Sequence, residues 1–212
     1  MSVDIAAANA AVAGKGPAEI ISHALALGAG KPMVSTNFRP GEAVILHMLT
    51  QVCPGIAVLW VDHGYNTPDT YRCAQQLIER LELNVTIESP DVTTAYRDAA
   101  LGGIPSLDDE EAHKVFTEER KLAPFRRGMQ RVGAGTWFTA VRREQTALRA
   151  NMEYFGLEGE LLKVSPLLDW SEAEMEAYLA EHDLPDEKVY FDPTKVEGNR
   201  ECGLHEGLHS KR

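Results

Sequence analysis

Cysteine is scarce in this chain, and the pattern around it excludes several chemistries. Cys53, Cys73 and Cys202 are the three cysteines in 212 residues. An odd count without close spacing gives no disulfide framework. Neither a CxxC pair nor adjacent cysteines are present to hold a cluster, and a reducing compartment is the natural inference. Long apolar runs are also missing. The longest, Ile56 to Val61, is far too short to span a bilayer, and the alanine-rich start from Met1 to Gly16 carries Asp4 and Lys15 without a basic leader region. A cytoplasmic protein is expected. Basic residues are in the minority, 21 Lys and Arg against 32 Asp and Glu. The net charge of −11 argues against nucleic-acid or anionic-membrane partners, which require basic surface to neutralise phosphates. Finally, no GxxxxGK[ST] loop occurs.

What is present suffices for one core. The chain is 44% hydrophobic and 25% charged, ordinary values for a globular domain. The charge is unevenly placed: Arg120 to Arg149 holds eight basic residues against Glu144, a segment of +7 that leaves −18 elsewhere. Arg126, Arg127 and Arg131 read as a solvated helix face. Arg142 and Arg143 follow the apolar Trp137 to Val141, and so are placed at a strand end, where open α/β sheets bind ligands.

Short apolar runs alternate with amphipathic segments. Pro32 to Val34 reads as a strand, Ser35 to Gly41 as a loop, and Glu42 to Leu49 as a helix. Ile56 to Val61 is a buried strand. Thr67 caps a helix with Pro68 in its first turn, running to about Leu81, and Val85 to Ile87 is a third strand. Further strands are expected near Trp137 to Val141 and Leu161 to Val164. A helix follows Ser171, whose capping box is completed by Glu174 and whose hydrophobic staple is Trp170 with Met175. This order predicts an α/β fold with an open, mainly parallel sheet and helices on both faces. The domain is placed at 1–184, with 185–212 as a mobile C-terminal tail; Leu101 to Asp109 is a second loop-like stretch.

Two sites stand out. The loop before the helix at Glu42 offers a helix N-terminus together with Ser35, Thr36 and Asn37, and an anion such as phosphate or sulfate is its expected guest, plain helix capping being the alternative. Cys202 lies between Arg200-Glu201 and Gly203, in a stretch without apolar periodicity. It reads as an accessible thiol kept for chemistry, whereas Cys53 and Cys73 sit in apolar stretches and read as packing.

Several blocks, in order along the chain, carry a family resemblance: Ser35-Thr36-Asn37-Phe38, Val61-Asp62-His63-Gly64-Tyr65, Thr70-Tyr71, Arg120-Lys121, Trp137 to Gln145, Leu168-Asp169-Trp170, and Glu201-Cys202-Gly203-Leu204-His205-Glu206-Gly207. Together they resemble phosphoadenylyl-sulfate (PAPS) reductases of the cluster-free branch. The resemblance implies an adenine-nucleotide α-hydrolase-like sheet whose modified phosphate loop holds an adenylyl sulfate. It implies reduction of PAPS to sulfite and adenosine 3',5'-bisphosphate in assimilatory sulfate reduction, upstream of cysteine biosynthesis. External thioredoxin or glutaredoxin would be the reductant, with no bound cofactor, metal or iron–sulfur cluster. The substrate-binding set so implied is Ser35, Thr36, Asn37, Phe38, Arg39, Asp62, Gly64, Lys121, Arg142 and Arg143, with Cys202 and His205 as the catalytic pair. A homodimer is left open.

Three departures from the family pattern are visible. Arg39-Pro40 stand where a glycine commonly follows the loop phenylalanine; the stretch from Pro185 to Cys202 is short and lacks a Thr-Thr-Arg element; and Phe116-Thr117 occupy the place of a cluster-binding cysteine pair. The last favours PAPS over adenylyl sulfate (APS), a cluster-free APS reductase being the alternative. Thiolate attack needs an anion, and a free cysteine with a pKa of about 8.5 is mostly protonated at neutral pH. Arg200, Lys121, Arg142 and Arg143 would favour the thiolate and Glu201 would oppose it; His205 would orient thiol or leaving group, or be an inert tail histidine. Attack would give an S-sulfocysteine that an external dithiol cleaves, with Gly198, Gly203 and Gly207 permitting the tail to open. Two further readings are a zinc-binding tail built on Cys202, His205 and His209, and a nucleotide-binding redox sensor.

Overall fold

The computed structural model describes residues 3–106 and 108–194. Cys202, His205 and the tail motif around them lie outside the described residues. In chain order the elements are α1 (Ile5–Val12), α2 (Pro17–Ala26), β1 (Lys31–Thr36), α3 (Glu42–Val52), β2 (Ala57–Val61), α4 (Pro68–Arg80), β3 (Asn84–Glu88), α5 (Thr94–Ala100) and α6 (Glu110–Thr117). A π-helical turn (Glu118–Leu122) then leads into α7 (Ala123–Val132), followed by β4 (Ala134–Phe138), two 3₁₀ turns (Arg143–Gln145 and Ala147–Arg149), β5 (Phe155–Glu158), β6 (Leu161–Val164) and α8 (Glu172–Glu181).

The strands form one sheet in the order β3-β2-β1-β4-β6-β5. All neighbours are parallel except β5 and β6, which pair antiparallel at one edge. Side chains alternate between two apolar layers, as a period of two requires. Val34, Val58, Trp60, Phe138 and Val164 join the core with α2 and α3, whereas Met33, Leu59, Val61 and Trp137 pack with Phe125 and Val132 of α7. Helices on both faces explain why β2 is buried at every position and reads as a continuous apolar run. The outer strand β5 is closed by a side chain: Asn9 of α1 donates to the Phe155 carbonyl at 3.0 Å and accepts from the Phe155 N–H at 3.0 Å.

Local signals account for several boundaries. Thr67 caps α4, its hydroxyl accepting the Thr70 N–H at 3.1 Å, and Pro68 opens the helix. Ser171 and Glu174 form the expected capping box of α8, and Met175 and Trp170 both belong to the main core. Other boundaries differ from the sequence reading. Ser35 and Thr36 belong to β1 rather than to the loop, because Ser35 accepts the Trp137 indole N–H and Thr36 pairs in register with Trp60. β4 lies three residues earlier than the apolar run suggested, ending at Phe138. The π turn has an identifiable origin. Pro124 supplies no N–H to the Arg120 carbonyl, and the Ala123 N–H instead reaches back five residues to Glu118.

Candidate functional site

The chain runs β1 to β2 to β3 in one direction, then returns to place β4 on the other side of β1. That reversal puts a topological switch point between the carboxyl ends of β1 and β4, where the outgoing loops diverge and leave a crevice. The loop after β1 is residues 37–41 and that after β4 starts at Thr139. Both regions named from sequence therefore flank this crevice.

The β1 loop is tightly organised. Phe38 takes a left-handed conformation at φ 51°, and its buried ring meets Trp60 edge-on at 4.9 Å. Gly41, at φ 79°, provides the glycine absent after Phe38; a Cβ there would lie 3.2 Å from the Met175 methyl. Asn37 N–H and the Thr36 hydroxyl donate to one carboxylate oxygen of Glu42 at 2.7 and 2.8 Å, and Arg39 Nε donates to the other at 2.9 Å. Gly41 N–H donates to Asp186 at 2.7 Å. The donors of this loop are taken by the chain's own carboxylates, Glu42 and Asp186. Arg39 is tied to Glu42 across a single helical turn.

Asp62, just past β2, accepts from Gly64 N–H at 3.0 Å, Asn66 at 3.0 Å and Tyr71 hydroxyl at 2.8 Å. Burial first, then the Asp62 hydrogen bond, pushes the Tyr71 hydroxyl up to about 12, so it remains a donor at neutral pH. Gly64, at φ 83°, accepts from the Thr94 hydroxyl, with which any Cβ at this position would collide. Behind it His63 is 1% exposed.

Lys121 and Arg120, on the π turn, are each 1% exposed. Lys121 Nζ donates to Asp192 at 2.5 Å, and Asp192 also accepts the Thr194 hydroxyl at 2.6 Å. Burial pushes the Asp192 carboxyl up, but Lys121, by charge and hydrogen bond, with the Thr194 hydroxyl and His63, outweighs it and holds it well below the usual carboxylate range. The described start of the tail therefore lies across the carboxyl edge of the sheet: Asp186 reaches Gly41, the Val189 carbonyl accepts from Thr67 at 3.2 Å, and Asp192 reaches Lys121. It is loop-like, as expected, and firmly anchored. Sequence reasoning missed this strap, because acids in a polar segment look like solvated loop. It also passed over His63 and Arg120; the proline inside an otherwise helical run was the available signal for the π turn.

Arg142 and Arg143 are not an open basic pair. Arg142 is buried, paired with Glu144 and Glu172, and donates to the Trp170 carbonyl at 3.3 Å. Arg143 holds the Met152 carbonyl with Nε at 3.1 Å and Nη2 at 2.7 Å, and pairs with Asp169. On α7 Arg131 is exposed while Arg126 and Arg127 are half-buried, with ion pairs to Glu118, Asp91 and the buried Glu88, so the solvated face expected for the three is only partly open. Cys73 is buried beneath the strap; burial first, then Glu187 and Asp186, pushes its thiol up to about 11. It is a packing residue, and Cys53 packs against the same core.

The fold and this crevice define an open, mainly parallel α/β domain with donors and acids gathered at the switch point. The phosphoadenosine phosphosulfate reductase domain family matches residues 31–197. Relatives include phosphoadenosine 5'-phosphosulfate reductases from Synechococcus sp., 36% identical over 84% of this chain and 76% of that protein, and from Xanthomonas axonopodis pv. citri, 33% identical over 97% and 94%. The crystal structure of PAPS reductase from Candida auris, a phosphate complex, shares the fold with a TM-score of 0.73 at 19% identity, covering 88% of this chain and 91% of that one. The chain belongs to the phosphoadenosine phosphosulfate reductase family, and is accordingly an oxidoreductase.

Among the described residues no cluster of three or more His, Cys, Asp or Glu side chains could hold a metal ion, and no helix is long and apolar enough to cross a membrane.

Proposed function

We propose that this protein reduces 3'-phosphoadenylyl sulfate to sulfite and adenosine 3',5'-bisphosphate through a thiol on Cys202. The observation that carries the reading is the family match over residues 31–197, which spans the switch point and its donors. The Cys202 thiolate attacks the sulfur, forming an S–S bond as the S–O bond to the nucleotide phosphate breaks and its electron pair leaves with that phosphate. An external dithiol, thioredoxin or glutaredoxin, then attacks the Cys202 sulfur; sulfite departs, and the second thiol of the dithiol closes its own disulfide and releases Cys202. Two electrons pass from dithiol to sulfur. Ser35, Thr36, Asn37, Phe38 and Arg39 shape the phosphate loop, Asp62 and Gly64 hold the neighbouring turn, and Lys121 supplies the buried charge. Arg142 and Arg143 act by holding the β4 loop against α8 and Asp169, or on substrate if their acid partners yield. His205 orients the thiol or leaving group, and no iron–sulfur cluster takes part.

Incubation with PAPS and no reductant should add one sulfo group at Cys202, seen by intact mass and peptide mapping, and Cys202→Ser should gain none and release no sulfite. Modification at Cys53 or Cys73 instead would sink the assignment. On the same iron-free preparation, kcat/KM for PAPS should exceed that for APS by roughly 10-fold or more, the size of one charge-assisted contact to the 3'-phosphate. Equal values would move the substrate to APS.

A further inference from the structure

Three rings meet where the end of α8 docks on α3, and none of them belongs to the residues gathered at the switch point. Tyr178 and His182 stand one turn apart at the end of α8, and His47 meets them from α3. The ring centres of His47 and His182 are 4.7 Å apart, and Tyr178 lies 4.2 Å from His182 and 5.7 Å from His47. All three are half-buried, so packing holds one side of the group while solvent reaches the other.

The spacing of the two imidazoles is what a shared metal ion requires. With a metal–nitrogen bond of about 2.0–2.1 Å, an ion stands about 3.2 Å from the centre of each ring that binds it. Two rings bound at a right angle then have centres about 4.5 Å apart, and two bound at the tetrahedral angle about 5.2 Å apart. The observed 4.7 Å lies nearer the right angle, the geometry that nickel(II) and copper(II) prefer. A ring turns freely about its metal–nitrogen bond, so the 46° between the two ring planes is no obstacle.

The surroundings suit a cation as well. Tyr178 hydroxyl and His47 Nδ1 are 2.9 Å apart. With its proton on Nδ1, His47 donates to the Tyr178 oxygen and presents the Nε2 lone pair, which is the outer-shell arrangement usual for a metal-bound histidine. Glu181 and Asp183 flank His182 in the chain. Arg80 is the cation set against them, and it is engaged: Nη2 donates to the His182 carbonyl at 3.0 Å and Nη1 pairs with Asp183 at 3.4 Å.

We propose that His47 Nε2 and a ring nitrogen of His182 form a two-imidazole site for nickel(II) or copper(II), with water completing the coordination and Tyr178 as a positioning residue. Two protein ligands make an exchangeable site, filled from free metal, and independent of the reaction proposed above. One ligand comes from α3 and the other from the end of α8, so the ion bridges the two helices and stabilises their docking.

The test uses the full-length protein carrying Cys202→Ser, which removes the thiol from Cys202, His205 and His209, the other candidate metal ligands. Nickel(II) chloride is titrated by calorimetry into this background alone and with His47→Gln, His182→Gln or Tyr178→Phe added. Each Gln variant should lose one equivalent of nickel or weaken it at least tenfold. Tyr178→Phe keeps both imidazoles and should weaken the same equivalent by about tenfold, the usual size for an outer-shell partner. Thermal unfolding gives a second reading: nickel at about a hundred times its Kd should raise Tm by about 5–10 °C when both histidines are present and leave it unmoved in either Gln variant. Nickel binding that ignores both Gln variants overturns the site and places the ion elsewhere, and dependence on one histidine alone overturns the bridge. Unchanged affinity in Tyr178→Phe overturns the positioning role. If His47→Gln does not fold, electron spin resonance of bound copper(II) decides: a count of imidazole nitrogens that falls from two to one with His182→Gln upholds the chelate, and a count that stays the same overturns it. Sulfite release enters none of these measurements, so their failure would leave the proposed reaction untouched.

Discussion

His63 makes stability fall with acid, in the same direction as a paired carboxylate such as Asp192 but over a higher pH window. Burial lowers its folded pKa to about 4 against an ordinary value of 6.5. Between these values the unfolded chain binds a proton that the folded chain refuses, so stability is undiminished above pH 6.5 and falls as pH drops through the window. At pH 4.5 the loss from this residue is about 2–3 kcal/mol, at roughly 1.4 kcal/mol per pKa unit. Asp192 does not confound it, since its contribution is present above the ordinary carboxylate pKa and is lost only below that window. Urea denaturation at pH 7 and pH 4.5 should show a smaller pH loss in His63→Gln than in wild type; parallel losses would mean that His63 is solvated and titrates normally. His63 was not legible as special, because one histidine in a turn looks the same whether or not its Nε2 has a partner.

At the scale of elements, α8 was the most legible piece. Its capping box satisfies its first-turn donors, with Glu174 accepting the Ser171 N–H at 2.7 Å and Ser171 accepting the Glu174 N–H at 3.3 Å. Its inner face docks on α3, where Tyr178 hydroxyl meets His47 Nδ1 at 2.9 Å and Met175 joins the core. Ser171→Ala should cost about 1 kcal/mol, the usual value of an N-cap, and lower Tm by about 2–4 °C in a chain of this size. Calorimetry at neutral pH measures it, and an unchanged Tm would show that tertiary packing alone holds the helix end. Elements without such signals were the ones missed. β5 has only four residues and buries only Phe155 fully, leaving almost no alternation to read. α6, the π turn and α7 run together from 110 to 132 and carry Pro124 inside, which reads as a break rather than a bulge.

Over the whole molecule, the parallel sheet and its switch point followed from the order of short apolar runs, because burial on both faces demands such runs. Contacts between distant segments did not follow. Gly41 meets Asp186 across 145 positions, and Lys121 meets Asp192 across 71. Each pairs a residue at the carboxyl edge of the sheet with an acid of a segment read as loop-like tail. The +7 segment is the same lesson in charge: Arg120, Arg142 and Arg149 are buried against internal partners, so the segment is far less basic at the surface than its sequence suggests.

The Asn9 side chain that closes β5 bears on how copies of this protein behave when crowded. Phe155 would otherwise turn a free N–H and C=O outward from the end of the sheet, the template on which another strand can add. Asn9 fills both with one amide, and reaches them from 146 residues away. The first helix is thus a guard against self-association as much as a part of the core, and fusions or trimming that disturb it should turn an orderly solution into a sticky one. Asn9→Ala should scatter light at a lower temperature than wild type at equal concentration on slow heating. Coincident onsets would assign the guarding role elsewhere.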